Sequence, residues 1–450
     1  YGLVSSPRRF CETGVSIPKI SLLDRADDYN GNTIPKPVGG RRGDQNMSET
    51  IIDSTSRFPE LRLKRREEKR LKAGHLWVFS NEIDTATTPL QGMEPGSVVT
   101  LTTASGQFLA YAYANPSTLI CARILSRRKE HEPGPGLFVT RIRAALELRE
   151  RLFAAPFYRL VHGESDGLPG LIVDRYGDYL VVQMHTAGIE RFGSEILGAL
   201  EKELRPRGVL LRNDAASREL EGLAREVKVA VGEVPDELEI EEGGCRFIVP
   251  VAAGQKTGWF YDQRENRERL RGLTAQRTVL DVCSYIGGWA VQAGAGGAKE
   301  ICCVDDSARA LSYCERNGAA NGLDLEVHKA DAFAAMRRFA EERRRFDVVV
   351  IDPPAFVKRR KDLAKGRAGY RKLNELAVRL LARDGVLVSC SCSYHFPEHE
   401  LLGVLRDAGR HLDRNIQVFA FGSQAPDHPV HPAIPETRYL KSLFCRVTQP

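Results

Sequence analysis

Between residues 278 and 391 the chain alternates five short apolar runs with segments of helical period, and this leaves few folds open. The runs fall at 278–283, 300–304, 325–329, 346–351 and 385–391. They are short and rich in Val, Ile, Leu and Cys, as strands covered on both faces are. Helical periods lie between them at 289–293, 307–321, 332–345 and 369–381. This succession predicts a doubly wound, mostly parallel α/β sheet of the Rossmann-like class over residues 239–450. Ligands of such sheets bind outside the carboxyl ends of the strands. The residues that follow each run are therefore the ones to read for chemistry.

The first run ends in Asp281-Val282-Cys283-Ser284-Tyr285-Ile286-Gly287-Gly288. Gly287 and Gly288 let the backbone turn tightly into a helix and approach a ligand closely. The second ends in Val304-Asp305-Asp306-Ser307. An acid there, about 20 positions after the glycine turn, is placed to accept ribose hydroxyls. A dinucleotide requires GxGxxG, but Cys283 and Tyr285 stand where a richer loop has glycines. S-adenosylmethionine carries no phosphate and tolerates this turn. The third run ends in Lys329-Ala330-Asp331-Ala332-Phe333, where Asp331 and its apolar neighbours could bracket an adenine.

The fourth run enters Asp352-Pro353-Pro354-Ala355-Phe356. A strand ending in Asp-Pro-Pro is the catalytic loop of many nucleic-acid base methyltransferases. The prolines fix φ and restrict their predecessors, so the acid is held stiffly. The fifth run ends in Ser391-Cys392-Ser393, which should lie beside Asp352. A cysteine there suggests 5-methylcytosine chemistry. Thiolate addition to C6 makes C5 enamine-like and able to take a methyl group. Asp352 would hydrogen-bond the N3/N4 edge of the base. The plain alternative for a strand cysteine is a small buried hydrophobe. It is taken for Cys283, Cys302, Cys303, Cys314 and Cys390. Two other functions compete. Methylation of an exocyclic amine such as guanine N2 uses an aromatic after Asp-Pro-Pro, but here Ala355 intervenes and Cys392 would have no role. A non-catalytic RNA-binding assembly factor would have no need of Asp305, Asp331, Asp352 and Cys392.

The remainder divides by composition. Residues 1–56 are rich in Gly, Pro, Asp, Asn and Ser without apolar period, and read as disordered. Residues 1–46 read as an extension upstream of Met47. Residues 57–132 read as a β-rich unit, with strands at 96–101 and 108–113. Residues 133–238 read as a small α+β unit, with helices at 137–153 and 192–204 and strands at 160–161, 171–173 and 180–183. The ten cysteines show no paired CxxC spacing, and no apolar run approaches the ~20 residues of a membrane span. A cytoplasmic protein with reduced thiols and no metal is expected. A formal charge of +6 permits a polyanionic partner without requiring one. Two basic stretches give that partner a place. One holds Lys64, Arg65 and Arg66. The other follows the Asp-Pro-Pro loop and holds Lys358, Arg359, Arg360, Lys361, Lys365 and Arg367, with Arg371 and Lys372 beyond. Phosphates flanking a flipped nucleotide would lie here.

Taken together, these motifs resemble the large-subunit ribosomal RNA methyltransferase I family over roughly residues 59–448. The resemblance adds Gly74-His75-Leu76-Trp77-Val78-Phe79-Ser80, the stretch Gly163-Glu164-Ser165-Asp166-Gly167-Leu168-Pro169-Gly170-Leu171-Ile172-Val173-Asp174-Arg175, the segment at 255–267, Asp427-His428-Pro429 and Tyr439-Leu440-Lys441. It implies a PUA-like RNA-binding domain, a linking α+β domain and a class I methyltransferase domain with a seven-stranded sheet. It implies S-adenosylmethionine as cofactor, 23S ribosomal RNA as partner and Cys392 as nucleophile. It also implies that Thr257, Phe260, Asp262 and Gln263 join Asp281, Ser284, Tyr285, Gly287, Gly288, Asp305, Asp306, Ser307, Asp331, Ala332, Asp352 and Pro353 around the cofactor. A homodimer is compatible with the sequence. One departure concerns RNA cytosine-5 methyltransferases more broadly, which carry a second cysteine where this chain has Ala355. Another group must then remove the C5 proton, and His428 and Lys441 are the candidates.

Overall fold

The apolar runs form strands because each has two faces to bury, and helices cover both. In the computed structural model, which describes residues 57–449, seven strands build one sheet. They are β1 (Thr278–Val282), β2 (Glu300–Asp305), β3 (Glu326–Lys329), β4 (Phe346–Ile351), β5 (Leu381–Ser391), β6 (Asn415–Gly422) and β7 (Lys441–Thr448). Their order is β3-β2-β1-β4-β5-β7-β6. β1 to β5 are parallel, and β7 inserts antiparallel between β5 and β6. Val279, Val348, Val350 and Val388 bury on one face, while Leu280, Val282, Val349 and Leu387 bury on the other. The expectation of disorder for 1–56 lies outside the described residues.

The helix before β5 differs from expectation. It spans Leu363–Leu380, so Gly366 and Gly369 lie inside it rather than at its start. A Cβ on Gly366 would collide with Val357 Cγ2. The missing side chain lets the loop after β4 rest on this helix. β5 also begins earlier, at Leu381, because Ala382, Arg383 and Asp384 extend the strand ahead of its apolar part.

The basic stretch near the amino end supplies the strand Glu60–Arg62 and the helix Glu68–Lys72. That strand joins a five-stranded sheet with Ser97–Thr102, Phe108–Ala114, Ile120–Ser126 and Trp77–Phe79. The following unit packs helices Pro135–Leu152 and Gly193–Leu204 on a second five-stranded sheet. Two of its strands, Gly208–Asn213 and Glu226–Gly232, were not foreseen. A hairpin, Leu238–Glu242 and Cys245–Val249, then turns through Gly243 and Gly244, both at positive φ. The connection from β6 to β7 ties these parts together. Its Ile434 is buried in the core of the first sheet, and its Asp427 carbonyl accepts from Arg149 at 2.9 Å. No helix among the described residues is long and apolar enough to cross a membrane.

Candidate active site

A cavity of about 600 Å³ opens where β1 to β5 end, within the ~300–1,000 Å³ usual for small-molecule sites. Every strand that the sequence marked contributes to its wall. Ser284, Tyr285 and Gly288 follow β1; Asp305 and Asp306 close β2; Asp331, Ala332 and Phe333 follow β3. Asp352 to Phe356 follow β4, and Cys392 follows β5. The segment at 255–267 and Tyr439 of the β6–β7 connection complete it.

The turn after β1 is strained where glycines were lacking. Cys283 and Tyr285 stand at φ 67° and 49°. Each such non-glycine residue costs about 1–2 kcal/mol, so surrounding contacts must hold it. The Tyr285 N–H donates to Asp305 Oδ2 at 2.9 Å. The Tyr285 hydroxyl donates to the Gly258 carbonyl and accepts from the Gln255 N–H, pinning the 255–258 loop. Asp305 Oδ1 accepts the Ser307 N–H. Burial pushes the Asp305 carboxyl above its ordinary range. Ser284 Oγ and Asp262 Oδ1 are buried, unpartnered oxygens on residues of the wall. Buried polar atoms without partners are rare, and a ligand with N–H donors satisfies them. Acids at the end of β2, orphan oxygens nearby and the Phe333 ring fit a nucleoside that bears an amino-acid tail.

Two further groups, Asp352 and Cys392, share the wall. Asp352 Oδ2 accepts from Gln263 Nε2 at 2.9 Å and Trp289 Nε1 at 3.0 Å. Burial lifts its pKa to about 6, against these two hydrogen bonds. Cys392 lies just past β5 with serines on either side. The Ser391 hydroxyl donates to the Tyr370 hydroxyl, which also bonds the Ser393 hydroxyl, both at 2.9 Å. The Ser393 hydroxyl receives the Val357 N–H, so the two loops brace each other. Cys390, by contrast, is buried with its thiol against the Ser442 hydroxyl. Burial raises the Cys392 thiol pKa, while Lys256 and Lys441 lower it.

Four expected cofactor residues stand behind the wall rather than in it. Thr257 gives its hydroxyl to Asp174 at 2.5 Å. Asp281 accepts the Ala290 N–H, and its burial and the charge of Asp352 lift its pKa to about 8. Gly287 has its own reason to be glycine, since a Cβ would approach Cys314 Sγ at 2.9 Å. Ser307 caps the helix Ala308–Ala320. Asp331 lines the cavity but also caps the helix Ala332–Glu341. Among the basic candidates, Arg367 is committed to Glu400 and Asp407, Arg359 to Asp362, and Lys64 to the Asn81 carbonyl. Arg65, Arg66, Lys358, Arg360, Lys361 and Lys365 remain exposed. His428 is buried against Asp427, outside the cavity wall. Lys256 and Arg267, at the two ends of the segment expected to line the pocket, do line it; sequence reasoning passed over Trp289 and Tyr439 as lining residues. Trp289 had a signal: an indole donor directly after the glycine pair.

Residues 61–127 match the model of the PUA-like domain, and residues 224–414 that of the S-adenosylmethionine-dependent methyltransferase. The ribosomal RNA large subunit methyltransferase I of Erwinia tasmaniensis is 37% identical over 393 residues, covering 86% of this chain and 98% of that protein. Its counterpart from Salmonella arizonae is 36% identical, covering 87% and 98%. A methyltransferase crystallised with SAH superposes with a TM-score of 0.75 at 22% identity, over 86% of this chain and all of that one. An S-adenosylmethionine-dependent methyltransferase from Streptococcus mutans gives 0.74 at 21% over 86% of this chain and 100% of its own, and at such identities the likeness concerns the fold. A strand order with β7 antiparallel between β5 and β6, a cavity at the strand ends and full-length relatives agree: the chain belongs to the ribosomal RNA large subunit methyltransferase I family of S-adenosylmethionine-dependent methyltransferases.

Proposed function

We propose that the protein methylates C5 of a cytosine in 23S ribosomal RNA through a covalent adduct on Cys392. The observation that carries this reading is the thiol of Cys392 and the carboxylate of Asp352 on the wall of one cavity. The names of the relatives support ribosomal RNA as substrate. Residues 57–132 serve as the RNA-binding PUA-like domain, 133–238 as the link and 239–450 as the catalytic domain. Asp305 and Asp306 take the ribose of the cofactor, Ala332 and Phe333 flank its adenine, and Asp262 and Ser284 meet its amino-acid end. When bound, that cofactor supplies an electrophilic methyl group.

Cys392 Sγ adds to C6 of the cytosine, and the electron pair displaced from the C5–C6 bond makes C5 nucleophilic. Asp352 accepts from the exocyclic amine and stabilises the adduct. Once C5 is methylated, loss of its proton and then of the thiolate restores the ring. A fluorine at C5 blocks that proton loss, which gives the test. Ribosomal RNA bearing 5-fluorocytosine, incubated with protein and cofactor, should give a shifted band on a denaturing gel. Cys392→Ala should give none. Methyl incorporation into ordinary RNA without any trapped band would move the reading to an exocyclic amine.

The exposed cations imply a salt dependence. RNA affinity should fall linearly in a log–log plot against salt. Replacing Lys358 and Lys361 with glutamine should flatten the slope by about 0.7–0.9 for each phosphate that the protein no longer neutralises. An unchanged slope would remove this loop from the RNA path.

A further inference from the structure

Lys441 and Lys256 bring two amino groups, one buried and one on the cavity wall, near a thiol, and neither is paired with a carboxylate among the described residues. Lys441 is the first residue of β7 and the antiparallel register partner of Ser391. Its side chain is 7% exposed, and its Nζ donates to the carbonyls of Ser393 at 2.5 Å and Tyr439 at 2.8 Å. Backbone pairing to Ser391 and a side-chain bond to Ser393 straddle Cys392. A neutral amine has two N–H donors and a lone pair, so the two carbonyls take both donors and leave the lone pair free to accept a proton. Lys256 lies on the same wall as Cys392, at φ 51°, with Nζ 4.7 Å from the Phe260 ring centre. A lysine held in a left-handed conformation costs energy that the fold must offset for some purpose.

Resting on the cytosine-5 reading, we infer that Lys441 and Lys256 are positioning residues that ease the ionisation of Cys392, with Lys441 taking the thiol proton. The S–H bond breaks and an N–H bond forms on Nζ, so a neutral pair becomes a thiolate–ammonium pair. No other reactant is needed. Burial lowers the Lys441 pKa to about 8, which makes its amine a usable acceptor. The groups that face Cys392 electrostatically are Lys256, Asp352, Asp262 and Lys441, with Tyr370 and Tyr439 beside them. Lys441 in turn faces Glu398 and Arg438. Burial and the two acids work against the thiolate, and the two lysines offset part of that cost.

The test is the rate at which iodoacetamide alkylates the free protein across pH, read peptide by peptide in a mass spectrometer. Cys283 lines the same cavity, and its thiol is pushed far up by burial, so it serves as an internal reference. Lys441→Met should raise the Cys392 midpoint by about one pH unit and slow alkylation about tenfold at neutral pH, with Cys283 unchanged. Lys441→Arg should restore most of the midpoint. Should Lys441→Met fail to fold, Lys256→Gln and Lys441→Arg decide: the first is expected to raise the midpoint, the second to keep it. Folded variants whose Cys392 midpoint matches the wild type would overturn the inference. This readout needs no RNA, so a missing 5-fluorocytosine adduct sinks the cytosine-5 reading separately.

Discussion

Asp352→Asn is expected to lower kcat by about 10²–10³-fold, the cost of removing one preorganised group at the reacting centre. The side chain keeps its shape, so the loss comes from hydrogen-bond direction. Trp289 Nε1 and Gln263 Nε2 both donate to Asp352 Oδ2. An asparagine must turn its carbonyl toward these two donors, which aims its NH2 into the cavity. A cytosine amine is itself a donor, so donor would meet donor. The same logic gives base discrimination in the wild type. Uracil presents an acceptor at that edge, which repels a carboxylate. A pH profile separates this account from a general loss of structure. With a pKa lifted to about 6 by burial, Asp352 gains its charge as pH rises through that value, and turnover should climb with it. The asparagine variant should lack this acid limb. Cofactor affinity, measured by calorimetry, should change far less, because the acids at the end of β2 hold the nucleoside. An Asn variant within threefold of wild type, with the limb intact, would remove Asp352 from the chemistry.

The catalytic sheet could be read from the chain because its strands are buried on both faces, and such runs stand out against any helix. The strand ends were legible for the same reason. The residues after β1, β2, β3, β4 and β5 reach the cavity wherever a loop turns toward it. What failed was telling wall from support. Ser307 and Asp281 hold backbone N–H groups next to the site, and a sequence does not say which way a side chain points from a turn. Arg367 looked like a free cation, but Glu400 and Asp407, over 30 positions away, claim it. The strands Gly208–Asn213 and Glu226–Gly232 were missed for another reason. The first is short and wholly buried and the second shows exposed Val227 and Val229, so neither alternates cleanly. Lys441 was noted only as a candidate base, because its grip on Ser393 depends on β7 lying against β5.

Arg149→Met should destabilise the fold by about 3–5 kcal/mol, the usual cost of leaving a buried charge without its partner. Arg149 is fully buried on the helix Pro135–Leu152. It makes a two-pronged pair with Asp166 at 2.6 and 2.8 Å and donates to the carbonyls of Arg159 and Asp427. Methionine fills similar volume but donates nothing. It would strand the Asp166 carboxylate and two carbonyls away from water. Urea unfolding measures the loss. The double variant Arg149→Met/Asp166→Leu should lose less than the sum of the singles, by about 0.5–3 kcal/mol, because the two side chains share one interaction. A single variant costing under about 1 kcal/mol would show the pair to be no stronger than a surface bridge. The consequence reaches the active site through one stretch of chain. Asp427 begins the turn whose far end carries Tyr439 and Lys441, and the Tyr439 hydroxyl donates to Asp262 in the cavity wall at 2.6 Å. Arg149 therefore anchors, from the middle unit, the segment that brings a lysine to Cys392. Folded Arg149→Met protein at low temperature should accordingly show slower Cys392 alkylation than wild type, while a packing role alone would leave that rate unchanged.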